Sequence, residues 1–353
     1  MMRILAINPG STSTKLAVYE DEKLLFEETI RHADAEIIKL PDLADQLPYR
    51  LESILGALRM NDFKPSELDA VVGRGGMLKP MDSGTYIVDE HLLDDARSGK
   101  HGNHASNLGS IIAAEIAGTH QIPAFIVDPV CVDELIVEAR ISGLADIERK
   151  SHVHALNIKA VSRKMAAELG KDLDDTSFVV AHLGSGISVA ALRKGRIIDV
   201  NNAENEGPFS PERAGGLPAK QLVQLCFSGK YTEKELLQRM TRQGGMYSYL
   251  ETKSVIEVEQ QAQDGDKEAA IILKAMVHQI GKEIGAMATV LEGKMDGFIL
   301  TGGIAHSDMI VRLIQEKISF LGKVFVRPGE EELEALAAGA FRVMIGQEDA
   351  KIY

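Results

Sequence analysis

Phe178-Val179-Val180-Ala181-His182-Leu183-Gly184-Ser185-Gly186-Ile187-Ser188-Val189-Ala190-Ala191-Leu192 is an apolar run, a Gly-Ser-Gly turn and a second apolar run. That is the pattern of two paired strands joined by a tight loop. A turn at Arg193-Lys194-Gly195-Arg196 then leads to a third strand at Ile197-Ile198. The same pattern stands at the start of the chain. Ile4-Leu5-Ala6-Ile7 and Leu16-Ala17-Val18-Tyr19 flank the loop Asn8-Pro9-Gly10-Ser11-Thr12-Ser13-Thr14-Lys15, and the second run ends in a turn at Glu20-Asp21-Glu22-Lys23. Laying Gly184 on Gly10 also lays Ser185 on Ser11 and Ser188 on Thr14. The spacing predicts a duplicated α/β architecture whose two Gly-Ser loops face one cleft.

The first loop is not a Walker A motif, which needs a second glycine before Lys-Ser/Thr and a helix after it; here a strand follows. Its chemistry is still that of phosphate binding. Backbone N–H groups near Gly10, the hydroxyls of Ser11, Thr12, Ser13 and Thr14, and the ammonium of Lys15 form a dense donor set. On the loop alone, a phosphate cradle and an ordinary polar hairpin turn both stay open. Lys15 either reaches a phosphate or braces the hairpin.

The 353 residues suit two domains, and 45% hydrophobic composition is enough to give both a core. A formal net charge of -13 argues against a nucleic-acid partner, which needs clustered Lys and Arg. Anions would have to be bound in local pockets. The two cysteines, Cys131 and Cys226, have no metal-like spacing and fit a reducing, cytoplasmic setting without a disulfide framework. Met1-Met2-Arg3-Ile4 enters a strand without a signal-peptide pattern, and no run reaches the ~18 to 20 apolar residues that span a bilayer. A soluble protein with no membrane partner is expected.

Between the two hairpins, Leu43, Leu47, Leu51, Ile54, Leu55 and Leu58 predict a helix from about Pro41 to Met60. A strand at Asp69 to Val72 ends in Gly73-Arg74-Gly75-Gly76, a turn that aims one arginine. A strand over Asp82 to Val88, a helix from about Ala105 to Ile116 and a strand at Pro123 to Val127 follow, the last with Asp128 at its carboxyl end, where α/β sheets place functional groups. Helices are expected from His154 to Leu169, Lys220 to Phe227, Glu233 to Met240, Asp266 to Leu291 and Glu330 to about Met344. The stretch Glu206 to Pro218 is too rich in Gly and Pro for regular structure. Phe298-Ile299-Leu300-Thr301-Gly302-Gly303-Ile304 is a strand running into a double glycine, suited to a nucleotide lying on bare backbone.

Seven of these stretches occur together and in order: Asn8 to Lys15, Gly73 to Gly76, His104-Ala105-Ser106-Asn107, His154-Ala155-Leu156-Asn157, His182 to Gly186, Arg213-Ala214-Gly215-Gly216 and Thr301 to Ile304. Together they resemble the acetokinase family over essentially the whole chain, with the greatest likeness to its butyrate-kinase branch. The resemblance implies the duplicated, ribonuclease H-like actin-like ATPase fold, an N-terminal domain of residues 1–150 joined by a C-terminal helix 333–353, and a nucleotide-side domain of residues 151–332. It further implies ATP and ADP, Mg²⁺, a small-molecule carboxylate, an acyl phosphate product and a homodimer or higher homo-oligomer. The sequence departs from acetate kinase where Ser151-His152-Val153-His154-Ala155-Leu156-Asn157 replaces a Gly-Thr-Ser-His motif. His154 is the histidine favoured to take over that role, with His152 as the alternative.

By the same resemblance, Arg74, Arg213, His154, His182 and Asp128 are catalytic. Asn8, Ser11, Ser13, Lys15 and His104 bind the acyl substrate, Gly184, Ser185, Gly186, Gly302, Gly303 and Ile304 bind the nucleotide, and Glu331 and Glu332 are the candidate Mg²⁺ ligands. The chemistry agrees with the residue types. A carboxylate is already an anion near neutral pH, so its phosphorylation needs no general base but does need cations against the repulsion of a polyphosphate. Guanidinium forks such as Arg74 and Arg213 bind such oxygens bidentately. The expected reaction is butanoate + ATP = butanoyl phosphate + ADP. A preference for propionate or a branched acid such as isobutyrate, and from another class a non-catalytic ATP-binding switch, are the alternatives.

Overall fold

The computed structural model describes residues 1–33, 40 and 42–353. It divides into two compact units, Met1–Val132 with Glu331–Tyr353, and Asp133–Glu330. The stretch 133–150, expected in the first domain, belongs to the second unit. There Ile136 N–H donates to Ile198 O, and the buried Glu134 accepts from Lys159 Nζ at 2.9 Å and Ile197 N at 2.7 Å. A buried carboxylate needs such partners, and the second unit supplies these two.

The first unit contains β1 (Arg3–Pro9), β2 (Ser13–Glu20), β3 (Lys23–Arg31), α1 (Leu43–Met60), β4 (Ala70–Arg74), β5 (Thr85–Ile87), α2 (Glu90–Ser98), α3 (Asn107–His120) and β6 (Ala124–Val127). Its sheet runs β3-β2-β1-β4-β6-β5, with β1, β4 and β6 parallel and the β1-β2-β3 meander antiparallel. Pro41, expected at the start of the first helix, lies outside the described residues. The strand expected over Asp82 to Val88 narrows to the three residues of β5.

The second unit contains α4 (Ala155–Glu168), β7 (Ser177–Leu183), β8 (Ile187–Arg193), β9 (Arg196–Val200), α5 (Ala219–Cys226), α6 (Glu233–Thr241), α7 (Val255–Gln263), α8 (Lys267–Val290), β10 (Gly297–Gly302), α9 (Asp308–Ile318) and β11 (Val324–Pro328). Its sheet runs β11-β10-β7-β8-β9, again an antiparallel meander continued by two parallel strands. Thus β7, β8, β9, β10 and β11 repeat the connectivity of β1, β2, β3, β4 and β6. Both meanders even carry a register shift between their second and third strands.

The hairpins differ in one respect from the expected overlay. In the first, Asn8 pairs with Lys15 and Pro9 with Thr14; in the second, His182 pairs with Ser188 and Leu183 with Ile187. The first turn closes with Gly10 N–H to Ser13 O at 2.7 Å, the second with Gly184 N–H to Gly186 O at 3.1 Å. The second turn is therefore one residue shorter, and Ser188 takes the ladder position of Lys15 rather than of Thr14.

Each sheet is covered by helices whose apolar faces build a core. In the second unit α8 buries Leu273, Met276, Val277, Ile280, Ile284 and Met287, three and four residues apart. Each such side chain contributes about 1.5–3 kcal/mol of burial free energy. The last helix, α10 (Glu332–Met344), returns to the first unit and packs on β1, β4 and β6. It ends at Met344, short of the expected helix 333–353, and beyond it Lys351 bridges to Tyr86.

One contact fixes the turn after β4. A Cβ on Gly73 would lie 2.0 Å from Gly109 O, and one on Gly109 would lie 2.2 Å from Arg74 O. Strand and helix meet backbone to backbone, which only glycine allows. Gly73→Ala should therefore cost about 1–3 kcal/mol through overpacking. Gly118→Ala, further along α3 where a Cβ meets nothing within 4 Å, should be neutral or slightly stabilising. Urea denaturation of the two variants distinguishes them, and equal stabilities would show that the close approach is unimportant.

Candidate active site

At the carboxyl ends of β1 and β4, the first unit brings together Asn8, Arg74 and Glu332. Arg74 Nη1 lies 3.0 Å from Glu332 Oε1 and 3.3 Å from Asn8 Oδ1, and Asn8 Nδ2 donates to Glu332 Oε2. Glu332 opens α10, where the helix dipole favours a carboxylate. Its neighbour Glu331 has left-handed backbone, with φ 40°. This arrangement holds a buried amide against a half-buried arginine and carboxylate at the carboxyl ends of two central strands.

The turn carrying Arg74 is held from behind by Asn107. Met77 N–H donates to Asn107 Oδ1 at 2.8 Å, while Asn107 Nδ2 donates to Gly102 O at 3.0 Å. A Cβ on Gly76 would lie 2.2 Å from that same Oδ1. In the His104-Ala105-Ser106-Asn107 run, then, Asn107 shapes the Arg74 turn. His104 itself is exposed, with Nδ1 3.2 Å from the Ser106 N–H that donates to it and 2.8 Å from Ser106 Oγ. Asp128 is buried one residue past the end of β6; its Oδ1 accepts from Gly84 N–H at 2.7 Å.

The hairpin turn of the first unit is braced by a residue that the sequence reading missed. Arg50 on α1 has no exposed surface. It donates to Ser11 O at 3.1 Å, Ser13 O at 3.2 Å, Thr14 Oγ1 at 2.9 Å and Gln46 Oε1 at 3.0 Å. Two carbonyls of the turn thus point inward at a cation, while Ser11 and Lys15 stay exposed and Ser13 half-buried. A charged residue placed between Leu47 and Ile54 on an apolar helix face was the available signal.

In the second unit, the Gly184-Ser185-Gly186 turn is enclosed by His182, Glu330 and Arg213. A Cβ on Gly186 would lie 2.5 Å from Arg213 Nη1, and one on Gly184 would lie 3.1 Å from His182 Nε2 and 3.6 Å from Glu330 Oε1. Arg213 donates to Ala203 O at 2.9 Å, and Ser210 Oγ donates to Ser185 O. Both come from the irregular stretch between Val200 and Ala219. The His154 and His182 rings stack with centroids 4.0 Å apart and planes 13° from parallel. His152 stands apart, 3.6 Å from Glu204; burial lowers its pKa, against the pull of Glu204 and with the help of Arg213. Of the two alternatives, the geometry groups His154 with His182.

Gly302 has φ 87°, and a Cβ there would lie 2.5 Å from Leu183 O. A Cβ on Gly303 would meet nothing within 4 Å. That bare backbone fits a flat ligand group lying on it. The Ile304 side chain faces the other way, into the core with Leu183 and Leu300, so only its backbone could touch a nucleotide. Among the described residues no three His, Cys, Asp or Glu side chains gather as a metal site. Glu332 and the Asn8 amide oxygen fit instead a hard cation that takes oxygen ligands and keeps several waters.

His32 underlies the first turn, with Nε2 2.8 Å from Thr14 Oγ1. Burial, and after it the charge of Arg50, hold its pKa down to about 4. In the unfolded chain the value returns to about 6.5. The folded value being the lower, this contribution is fully present above about pH 6.5 and is lost as pH falls towards about 4, where the unfolded chain alone takes up the proton. The urea midpoint of the wild type should fall more steeply over that window than that of His32→Gln; parallel profiles would show that His32 is not held neutral.

The comparisons with known proteins bear on the family and the fold. Residues 146–352 match the model of the acetokinase family. An acetate kinase from Porphyromonas gingivalis is 18% identical, over 99% of this chain and 100% of that one, with a TM-score of 0.81. A propionate kinase from Francisella tularensis is 18% identical over 96% and 99%, with a TM-score of 0.75, and an acetate kinase from Entamoeba histolytica is 15% identical over 96% and 98%, with a TM-score of 0.77. The two mixed sheets with their repeated connectivity are thus the duplicated actin-like ATPase fold. With more than half of its length matched by the family model, the chain belongs to the acetokinase family.

Proposed function

We propose that the protein transfers the γ-phosphoryl group of ATP to a short-chain fatty-acid carboxylate, butyrate, and runs the reverse reaction from acyl phosphate and ADP. The observation that carries this reading is the Asn8, Arg74 and Glu332 cluster. It offers one guanidinium to an anion beside one carboxylate for a cation. A carboxylate oxygen attacks the γ-phosphorus, and the bond to the ADP oxygen breaks. No proton has to be removed from the nucleophile, and among kinase reactions that need distinguishes a hydroxyl acceptor from a carboxylate.

In this reading Arg74 meets the acyl carboxylate, and Arg213, packed on Gly186, meets the phosphoryl oxygens. Backbone N–H groups of Gly184 to Gly186 hold phosphate, and the open face of Gly303 takes the adenosine. Mg²⁺, when bound, neutralises phosphate charge, and Glu332 with Asn8 would hold it. Ser11, Ser13 and Lys15 supply exposed donors on the turn braced by Arg50. The choice of butyrate is supported by the run His154-Ala155-Leu156-Asn157, which resembles the butyrate-kinase branch and lies in the stretch Ser151 to Asn157 that stands where acetate kinase carries Gly-Thr-Ser-His. One methylene changes binding in an apolar pocket by only about 1–3 kcal/mol, so neighbouring chain lengths should react more slowly rather than not at all.

Trapping acyl phosphate with hydroxylamine, in the presence of ATP, Mg²⁺ and straight or branched C2 to C6 acids, should give most hydroxamate with butyrate. No hydroxamate from any acid would overturn the reading. Arg74→Ala and Arg213→Ala should each lower kcat by about 10²- to 10³-fold with an unchanged circular dichroism spectrum. Near-normal turnover in either would remove that arginine from the reaction.

A further inference from the structure

Asn157, in the first turn of α4, is only 5% exposed and has all its amide atoms engaged. Nδ2 donates to Gly329 O at 3.3 Å and to Glu330 O at 3.1 Å. Both partners are carbonyls, which only accept, so the amide can face them in one orientation alone. The Oδ1 is thereby turned to His182 Nδ1 at 2.8 Å. An amide oxygen cannot donate, and the hydrogen of that bond must come from the imidazole.

We propose that Asn157 is a positioning residue that locks His182 with its hydrogen on Nδ1, so that His182 offers a hydrogen bond through Nε2 only after taking up a proton there. A free imidazole favours the opposite form, with hydrogen on Nε2, so the fold has selected the minor tautomer. The ring cannot rotate out of this state. It is 2% exposed and stacked on His154, whose Nδ1 lies 2.8 Å from Ser188 Oγ. The Nε2 atom faces the Gly184 turn, with Glu330 Oε1 at 3.5 Å. The groups around the ring are thus Asn157 from α4, His154 just before that helix, Ser188 from β8 and the Glu330 carboxylate from the segment after β11.

The consequence rests on the carboxylate-kinase reading. With Nε2 bare, its lone pair opposes a phosphoryl oxygen at Gly184. One proton from solvent, added to Nε2, gives an imidazolium that donates from both nitrogens, to Asn157 Oδ1 and to the anion. His104 works the other way. Its Nδ1 accepts from Ser106 N–H, so its Nε2 already carries hydrogen in the neutral ring.

The test is ¹⁵N NMR of the full chain labelled at histidine, above about pH 8 where a free imidazole is neutral. The His182 signals are assigned by their loss in His182→Gln. A directly bonded hydrogen on Nδ1 and a bare Nε2 are expected; hydrogen on Nε2, or an equal mixture, would overturn the proposal without any further variant. Asn157→Asp retains the acceptor and should keep the Nδ1 hydrogen. Asn157→Leu should move the hydrogen to Nε2 and lower kcat about 10- to 100-fold, as when the partner of a functional histidine is removed. A folded Asn157→Leu that keeps the hydrogen on Nδ1 would show that Asn157 does not set it. The spectrum is read without substrate, so failure of the hydroxamate assay and failure of the tautomer lock are separate results.

Discussion

The constraint on which both units depend is the need to hold a polar turn rigid at the end of two buried strands. Backbone carbonyls at the base of such a turn lose water and need donors from elsewhere in the fold. The first unit supplies Arg50, whose guanidinium takes Ser11 O and Ser13 O together. The second supplies two neutral residues: Ser210 bonds Ser185 O, and the buried Asn201 accepts from Val189 N–H and donates to Ile187 O at 2.9 Å. A fork of five donors suits the longer turn, with two carbonyls aimed inward. The shorter turn, closed by Gly184 and Gly186, leaves less to satisfy.

The duplicated strands then place unlike chemistry at like positions. Asn8 and His182 each stand two residues before the glycine that opens the turn, and each bonds to the segment that follows the last parallel strand of the second sheet. Asn8 reaches Glu332, and His182 reaches Glu330 and, through Asn157, the carbonyls of 329 and 330. The Asn8 contact lies within the first unit and the His182 contacts within the second, whose last residue is Glu330. Glu331, which precedes α10, has left-handed backbone with φ 40°. Such a conformation in a non-glycine residue costs about 1–3 kcal/mol and persists where the surroundings fix it.

What the sequence displayed were the features carried by local pattern. The two hairpins, the turn holding Arg74, the α8 stripe and the Gly302-Gly303 step each lie within a window of a few residues, where alternation and glycine placement read directly. What stayed hidden depends on distant partners. Arg50 sits at helical spacing among leucines, and only its bonds to residues 36 to 39 positions away explain why a charge is buried there. Asn157 looks like any helix-start asparagine until residues 329 and 330 come to it. The one-residue difference between the turns was invisible because laying glycine on glycine fixes one strand and leaves the other free to slip. β11 escaped because only Phe325 of its five residues is buried and it ends in Arg327 and an exposed Pro328.

The histidine pair shows how a hydrogen-bond chain fixes an imidazole in the second unit where the first uses a permanent charge. In the first unit the cation is permanent, since a guanidinium never gives up its proton at ordinary pH, and Glu332 must lie beside Arg74 to keep a half-buried charge from standing alone. In the second unit Arg213 supplies the permanent cation at Gly186, and a second fixed charge at Gly184 would have to be buried under β7, where desolvation costs several kcal/mol. There the fold places instead an imidazole, 2% exposed, whose Nδ1 lies 2.8 Å from Asn157 Oδ1. The stacked His154 adds its own constraint: two parallel rings 4.0 Å apart repel when both are charged.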